Sequence, residues 1–239
     1  MRSGDAASSN GAVTAGPPVF VVVPVKDQTR HTRGIVEQLA VQGGYDRLFV
    51  LDNGSSQETA AFLARCDGQA GVEVIDAAGW PLHDMWQEGV DRARARSATC
   101  DVAILNNDLR LGPRFLASLS ASLRSDPALW AVSPRYDDRR IKGIEYVSGT
   151  FKDRGLAGFA YMVRGEAFDH VAFDRRFHWW YGDDDLVAQI EARGRKVAIT
   201  GATWVEHVDG GSQTLQHVDG IGPQLAADRA RMLRKWGYA

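Results

Sequence analysis

Three consecutive carboxylates, Asp183, Asp184 and Asp185, follow three aromatic rings, Trp179, Trp180 and Tyr181, in the run from His178 to Asp185. Carboxylates this crowded repel one another, so at least one is expected to keep its proton to higher pH and to act as a base beside a stacking surface. A sugar-handling site needs that combination. The structural alternative is a helix start, where Asp is stabilised by unpaired N–H groups and the positive end of the dipole. Two other short stretches are rich in oxygen ligands: Asp52-Asn53-Gly54-Ser55 and Asn106-Asn107-Asp108. A carboxylate in the first can bond a ribose hydroxyl or a base N–H, and one in the second can hold a hard divalent cation. Each stretch is also a good turn, so neither decides alone. His207 is a lone histidine after a short apolar stretch, a setting that more often marks a surface or satisfied core residue than a ligand.

The elements that must carry these residues alternate. Val19 to Val23, closed by Pro24, is a β-branched run suited to a strand buried on both faces. A helical pattern from Thr29 to Gln42 stops at Gly43-Gly44, and Arg47 to Leu51 forms a second buried strand before a helix from about Gln57. Val72 to Ile75, Leu82 to Arg96 and Asp101 to Leu105 continue as strand, helix, strand. This order predicts an α/β, Rossmann-like, doubly wound and mostly parallel sheet with helices on both faces and ligands at the carboxyl ends of the strands. No Gly-x-Gly-x-x-Gly follows any of these strands, which speaks against an oxidoreductase dinucleotide site.

Composition narrows the class further. A chain of 239 residues with 44% hydrophobic content can bury one large core, so residues 19–239 are expected to form a single domain after a disordered leader, 1–18, rich in Gly, Ala and Ser. Lys and Arg total 28 against 30 Asp and Glu, so there is no global basic field for a nucleic-acid backbone or an anionic membrane. Cys66 and Cys100 lack metal-site or disulfide spacing and read as free, buried thiols of a cytoplasmic protein. No apolar run reaches the roughly 18 residues of a membrane span. From Gly222 to Tyr238, Leu225, Met232, Leu233 and Trp236 recur at roughly helical spacing with Arg229, Arg231, Arg234 and Lys235 between them. An amphipathic helix packed across the domain is expected, with a membrane-surface contact or a homo-oligomer face as the functional alternatives. The Gly-rich stretch from Asp209 to Gly222 reads as a mobile loop.

The order of these motifs resembles glycosyltransferase family 2, enzymes of the GT-A fold, from about Val19 to about Thr214. Val23-Pro24-Val25 is similar to the opening strand, and Val50 to Ser55 to the nucleotide-binding turn. Ile104-Leu105-Asn106-Asn107-Asp108 stands where that family carries an Asp-x-Asp metal motif. Gly158 to Arg164 resembles the strand before the acceptor region, and Phe173-Asp174-Arg175-Arg176-Phe177 the segment after it. Gly182-Asp183-Asp184-Asp185-Leu186 is similar to Glu-Asp-x-Asp-Leu, and Val205 to Ser212 to a closing segment with a ligand histidine.

The resemblance implies an inverting transferase that moves a sugar from a nucleotide diphosphate sugar to an acceptor hydroxyl, with Mn²⁺ or Mg²⁺ as cofactor. It implies donor contacts at Pro24, Val25, Asp52, Asn53, Gly54, Trp80, Asn106, Asn107 and Ser212, metal ligation by Asp108 and His207, and an acceptor platform at Trp179, Trp180 and Tyr181. Asp183 would be the base, with Asp184 its rival if the register slips by one. The loop from Asp209 would close over the diphosphate and exclude water. Two departures stand out: Asn106 replaces an Asp of the metal motif, and Gly182 replaces the Glu before the base. They motivate one alternative, a nucleotide-sugar-binding protein without transfer activity. A nucleotidyltransferase is the other, although Val25 to Arg30 lacks the Gly-rich, basic loop that chemistry calls for. The identity of the sugar, nucleotide and acceptor stays open.

Overall fold

The computed structural model describes residues 16–69, 71–136, 140–148, 155–208 and 221–237. Strand β1 (Val19–Val25), helix α1 (Thr29–Gln42), β2 (Arg47–Asp52), α2 (Gln57–Cys66), β3 (Val72–Asp76), α3 (Leu82–Arg96) and β4 (Asp101–Leu105) alternate as the periodicity predicts. The second half adds β5 (Leu109–Leu111), α4 (Phe115–Arg124), β6 (Leu129–Arg135), β7 (Ile144–Val147), β8 (Ala160–Arg164), a 3-10 turn (Gly165–Asp169), α5 (Gly182–Glu191), β9 (Lys196–His207) and α6 (Ile221–Trp236).

All these strands join one sheet in the order β3-β2-β1-β4-β8-β6-β9-β5, with β7 alongside β9. The first four run parallel, β8 enters antiparallel between β4 and β6, and β9 returns parallel to β6. Alternation along β1 splits the core into two layers, because successive side chains leave a strand on opposite faces. Val19, Val21, Val23 and Val25 pack with Ile35 and Leu39 of α1 and Phe115 and Leu119 of α4. Phe20 and Val22 pack on the other face with Met85, Trp86 and Val90 of α3 and Leu186 and Ile190 of α5. Burial on both faces is why these strands read as continuous apolar runs.

The twelve-residue strand β9 matters most for the site. Its last residues leave β6 and pair antiparallel with β5, placing His207 opposite Leu109 and next to the end of the Asn106-Asn107-Asp108 turn. No described helix is long and apolar enough to cross a membrane. The expected leader lies outside the described residues up to position 15, as does the expected mobile loop from 209 to 220. Both thiols are free; Cys100 is buried, whereas Cys66, on the outer turn of α2, is only half-buried.

Candidate active site

A cavity of about 490 Å³ opens at the carboxyl ends of β1 and β4. Pro24, Val25, Lys26 and Gln28 line it from the end of β1, and Asn106, Asn107 and Asp108 from the end of β4. Facing them are Leu82, Met85 and Trp86 of α3, Trp179, Trp180 and Tyr181 before α5, and Asp183 and Asp184 in its first turn. Residues separated by as many as 183 positions therefore meet because a parallel sheet gathers its strand ends on one edge (24 to 207).

Asp108 and His207 meet in this cavity, His207 Nε2 lying 3.0 Å from Asp108 Oδ1. The arrangement is held from several sides. The Val208 N–H donates to the Asp108 carbonyl at 2.8 Å, and the Phe159 ring stacks on the His207 ring with centroids 4.5 Å apart. Asn107 Nδ2 donates to Thr32 Oγ1 at 3.0 Å and the Asn106 N–H to the Phe159 carbonyl at 2.9 Å, so the turn after β4 is anchored to α1 and to the strand beside it. One carboxylate oxygen and one imidazole nitrogen form a donor set suited to a borderline divalent cation. Among the described residues no group of three or more His, Cys, Asp or Glu converges on one point, so any such ion would take its remaining ligands from elsewhere.

The three carboxylates at the head of α5 have separate fates. Asp183 lies in the cavity, and burial raises its pKa above the ordinary carboxylate value, opposed by backbone N–H groups at the helix start and by His83. Asp184 also lines the cavity. Asp185 is fully buried and points away: it accepts from Lys235 Nζ, Trp236 Nε1 and Gln189 Nε2, each at 2.8 Å. The third carboxylate is a structural anchor for α6. Tyr181, in front of them, adopts the left-handed region at φ 66°, a conformation costly for a bulky residue and stored where a chain must turn sharply at a site.

Several expected donor contacts are placed differently. Asn53 lines the cavity, but its side chain is committed to the Trp80 carbonyl at 2.6 Å and to the Gly79 N–H at 3.2 Å. Asp52 closes its own turn by accepting the Ser55 N–H at 2.9 Å, and Asp52, Gly54 and Trp80 do not line the cavity. Trp80 is 37% exposed beside it. Ser212 lies outside the described residues.

No protein-family model matches the chain, and a sequence comparison with characterised proteins finds no match. Solved structures do match. GalNAc-T7, solved with UDP, GalNAc and Mn²⁺, superposes with a TM-score of 0.63 at 13% identity over 80% of this chain and 44% of its own. The mannosyltransferase PcManGT from Pyrobaculum calidifontis, solved with GDP-Man and Mn²⁺, gives 0.63 at 14% identity over 85% of this chain and 61% of its own. Glucosyl-3-phosphoglycerate synthase from Mycobacterium tuberculosis, solved with Mn²⁺, UDP and glucosyl-3-phosphoglycerate, gives 0.62 at 15% identity over 94% and 81%. The fold is GT-A. This chain spans less than two thirds of the first two GT-A neighbours, so their whole-protein activities do not transfer with the fold.

Three features of this GT-A site escaped the sequence. Asp228, in α6, is fully buried and accepts the backbone N–H groups of His178, Trp179 and Trp180 at 3.1–3.3 Å while paired with Arg231 at 2.8 Å. A carboxylate on the far helix thus shapes the aromatic loop, and no motif in the sequence marks it. Lys26 and Gln28 stand at the cavity lip without any motif to mark them. Leu225, expected in the apolar stripe of the C-terminal helix, is 37% exposed, while Met232 is buried against Phe177 and Ala188; α6 docks through that apolar patch together with the polar contacts of Asp228, Lys235 and Trp236.

Proposed function

We propose that this chain is a metal-dependent, inverting glycosyltransferase that moves a sugar from a nucleotide diphosphate sugar to an acceptor hydroxyl. The observation that carries this reading is that one cavity holds both a carboxylate–imidazole pair, Asp108 and His207, and a half-buried carboxylate, Asp183, with aromatic rings in its lining. The neighbours of the same fold solved with Mn²⁺ and a nucleotide or nucleotide sugar support it.

Asp108 and His207 would hold Mn²⁺ or Mg²⁺, which when bound neutralises charge growing on the diphosphate leaving group. Because Asn106 is neutral, the protein supplies one charge fewer than an Asp-x-Asp motif, and donor phosphates complete the site. Pro24, Val25 and the β4 turn form the donor wall, with Asp52, Gly54, Trp80 and Ser212 as outlying donor contacts. Trp179, Trp180 and Tyr181 offer the acceptor an apolar platform. Asp183 takes the proton of the acceptor hydroxyl as that oxygen bonds the anomeric carbon from the side opposite the leaving diphosphate, which inverts the configuration. Its raised pKa brings its basicity nearer the working pH, where general-base help is worth about 10²–10⁴-fold. Asp184 is the second candidate for this role.

The test is a thermal-shift screen of UDP, GDP, TDP and CDP and their sugar conjugates with and without Mn²⁺, followed by a turnover assay with the conjugate that binds. A metal-dependent shift and an inverted product are expected. Absence of a shift with every nucleotide removes the donor site and the reading with it. The neutral Asn106 favours a second reading, a nucleotide-sugar-binding protein without turnover, for which Asp183→Asn changes nothing measurable.

A further inference from the structure

Beneath the cavity floor lies a set of buried polar atoms that nothing satisfies. His83, in the first turn of α3, is 0% exposed, and neither ring nitrogen has a hydrogen-bond partner. Trp86 Nε1 and the Tyr161 hydroxyl are buried and unpartnered as well. The three residues are contiguous: the His83 and Trp86 rings have centroids 5.0 Å apart, and Trp86 and Tyr161 meet edge to face at 6.2 Å. Orphaned polar atoms in a core are rare, and Phe would fill the His83 position without the desolvation penalty. Something at this spot uses a polar ring.

The position of the ring identifies the user. A Cβ on Gly182 would fall 2.1 Å from His83 Nε2 and 2.2 Å from Cδ2, so the imidazole edge occupies the space in which a side chain at position 182 would stand. Gly182 immediately precedes Asp183. The missing side chain in front of the base is therefore exchanged for an imidazole delivered from another helix, and the glycine is required by that exchange. We infer that His83 is a positioning residue for Asp183, a neutral imidazole that packs against the backbone at Gly182 and so fixes where the base stands at the start of α5. This rests on the transferase reading for its purpose, while the pairing itself does not.

A neutral ring suits the task better than a charged one. An imidazolium near Asp183 would favour the ionised carboxylate and lower its basicity, whereas a neutral ring leaves it able to take a proton. Burial pushes the His83 pKa below its ordinary value, although the Phe177 backbone, which lies near the ring without reaching hydrogen-bond geometry, and then Asp183, Asp228 and Asp185 pull the other way. Burial raises the Tyr161 pKa and the Asp183 carboxylate adds to that rise, so the phenol stays protonated beside the base.

Two measurements on the full chain test this. The first is ¹⁵N NMR of histidine-labelled protein between about pH 5 and 9, comparing wild type with Asp183→Asn. Of the six histidines, one is expected to stay neutral throughout and to change its ring-nitrogen shifts when Asp183 is altered. A histidine that stays neutral but ignores Asp183→Asn overturns the pairing, and so does finding that all six titrate freely. The second is hydrolysis of the donor that binds with Mn²⁺, with water as the nucleophile. His83→Phe is expected to lower kcat at least tenfold with donor KM within about twofold and to displace the acid limb of the pH profile, while His83→Gln retains part of the rate. Wild-type kcat and pH profile in His83→Phe would reduce the ring to packing. If His83→Phe fails to fold, the NMR comparison still decides. If wild type turns over no donor while the ring responds to Asp183→Asn, the transferase reading fails and the pairing stands.

Discussion

Gly158 and Asp183 touch across the cavity wall: a Cβ on Gly158 would fall 1.9 Å from Asp183 Oδ2 and 2.6 Å from its Cγ. The carboxylate rests on bare backbone at the turn before β8. Gly158→Ala must push it aside, and misplacing a reacting group by about 1 Å can cost on the order of 10²-fold in rate. Turnover is expected to fall by that order while Mn²⁺-dependent nucleotide binding persists. Equal activity in the alanine variant would mean that Asp183 is not the base.

The Asp108–His207 pair makes a separable prediction. A nucleotide at about 100 times its dissociation constant stabilises by roughly 2.7 kcal/mol, or about 5–11 °C for a domain of this size. In Asp108→Ala and in His207→Ala the part of that shift contributed by Mn²⁺ should vanish, leaving only metal-independent binding. Phe159→Ala, which removes the ring stacked on His207, should weaken the metal effect by less. A full Mn²⁺ response in His207→Ala would place the ion elsewhere.

Asp228 should matter beyond its own helix. Removing its carboxylate leaves three backbone N–H groups and Arg231 without their acceptor, a cost of roughly 1–3 kcal/mol. Urea melts of Asp228→Ala should show that loss. Acrylamide quenching of tryptophan fluorescence should rise as the loop bearing Trp179 and Trp180 loosens. Unchanged quenching would show that the loop holds its shape without α6.

The pH dependence of Asp183 has a definite sign. Its folded-state pKa is raised, so between the unfolded value near 3.8 and the higher folded value the native state binds more protons, and stability falls as pH rises through that window. Below the window both states are protonated and the penalty is absent. Asp183→Asn removes a charge that burial disfavours and should melt at a higher temperature than wild type at pH 7, with the difference shrinking toward pH 4. It should also be inactive. A variant less stable than wild type at pH 7 would show that the ionised carboxylate is well satisfied where it stands.

Most of the N-terminal sheet is legible in the chain, because its strands are buried on both faces and breakers such as Gly43 after α1 mark where helices stop. Val19 to Val25, Thr29 to Gln42, Leu82 to Arg96 and Asp101 to Leu105 stand where local pattern puts them. Local chemistry also marks Asp108, Asp183 and Asp184, since clustered carboxylates and amides are conspicuous, whereas the lone His207 stands out only through the resemblance. What tertiary structure alone decided is the use of each group. Asp183, Asp184 and Asp185 are identical in sequence, yet helical rotation turns two into the cavity and sends the third to Lys235 and Trp236 of α6. Asp52, expected as a donor contact, also accepts the N–H of its own turn, and nothing local marks His83 and Asp228 because their partners lie 99 and 50 residues away, from 83 to 182 and from 178 to 228. Periodicity reports which way a side chain faces relative to its own element. It carries nothing about which distant backbone arrives there, and that arrival sets the burial and charge from which function follows.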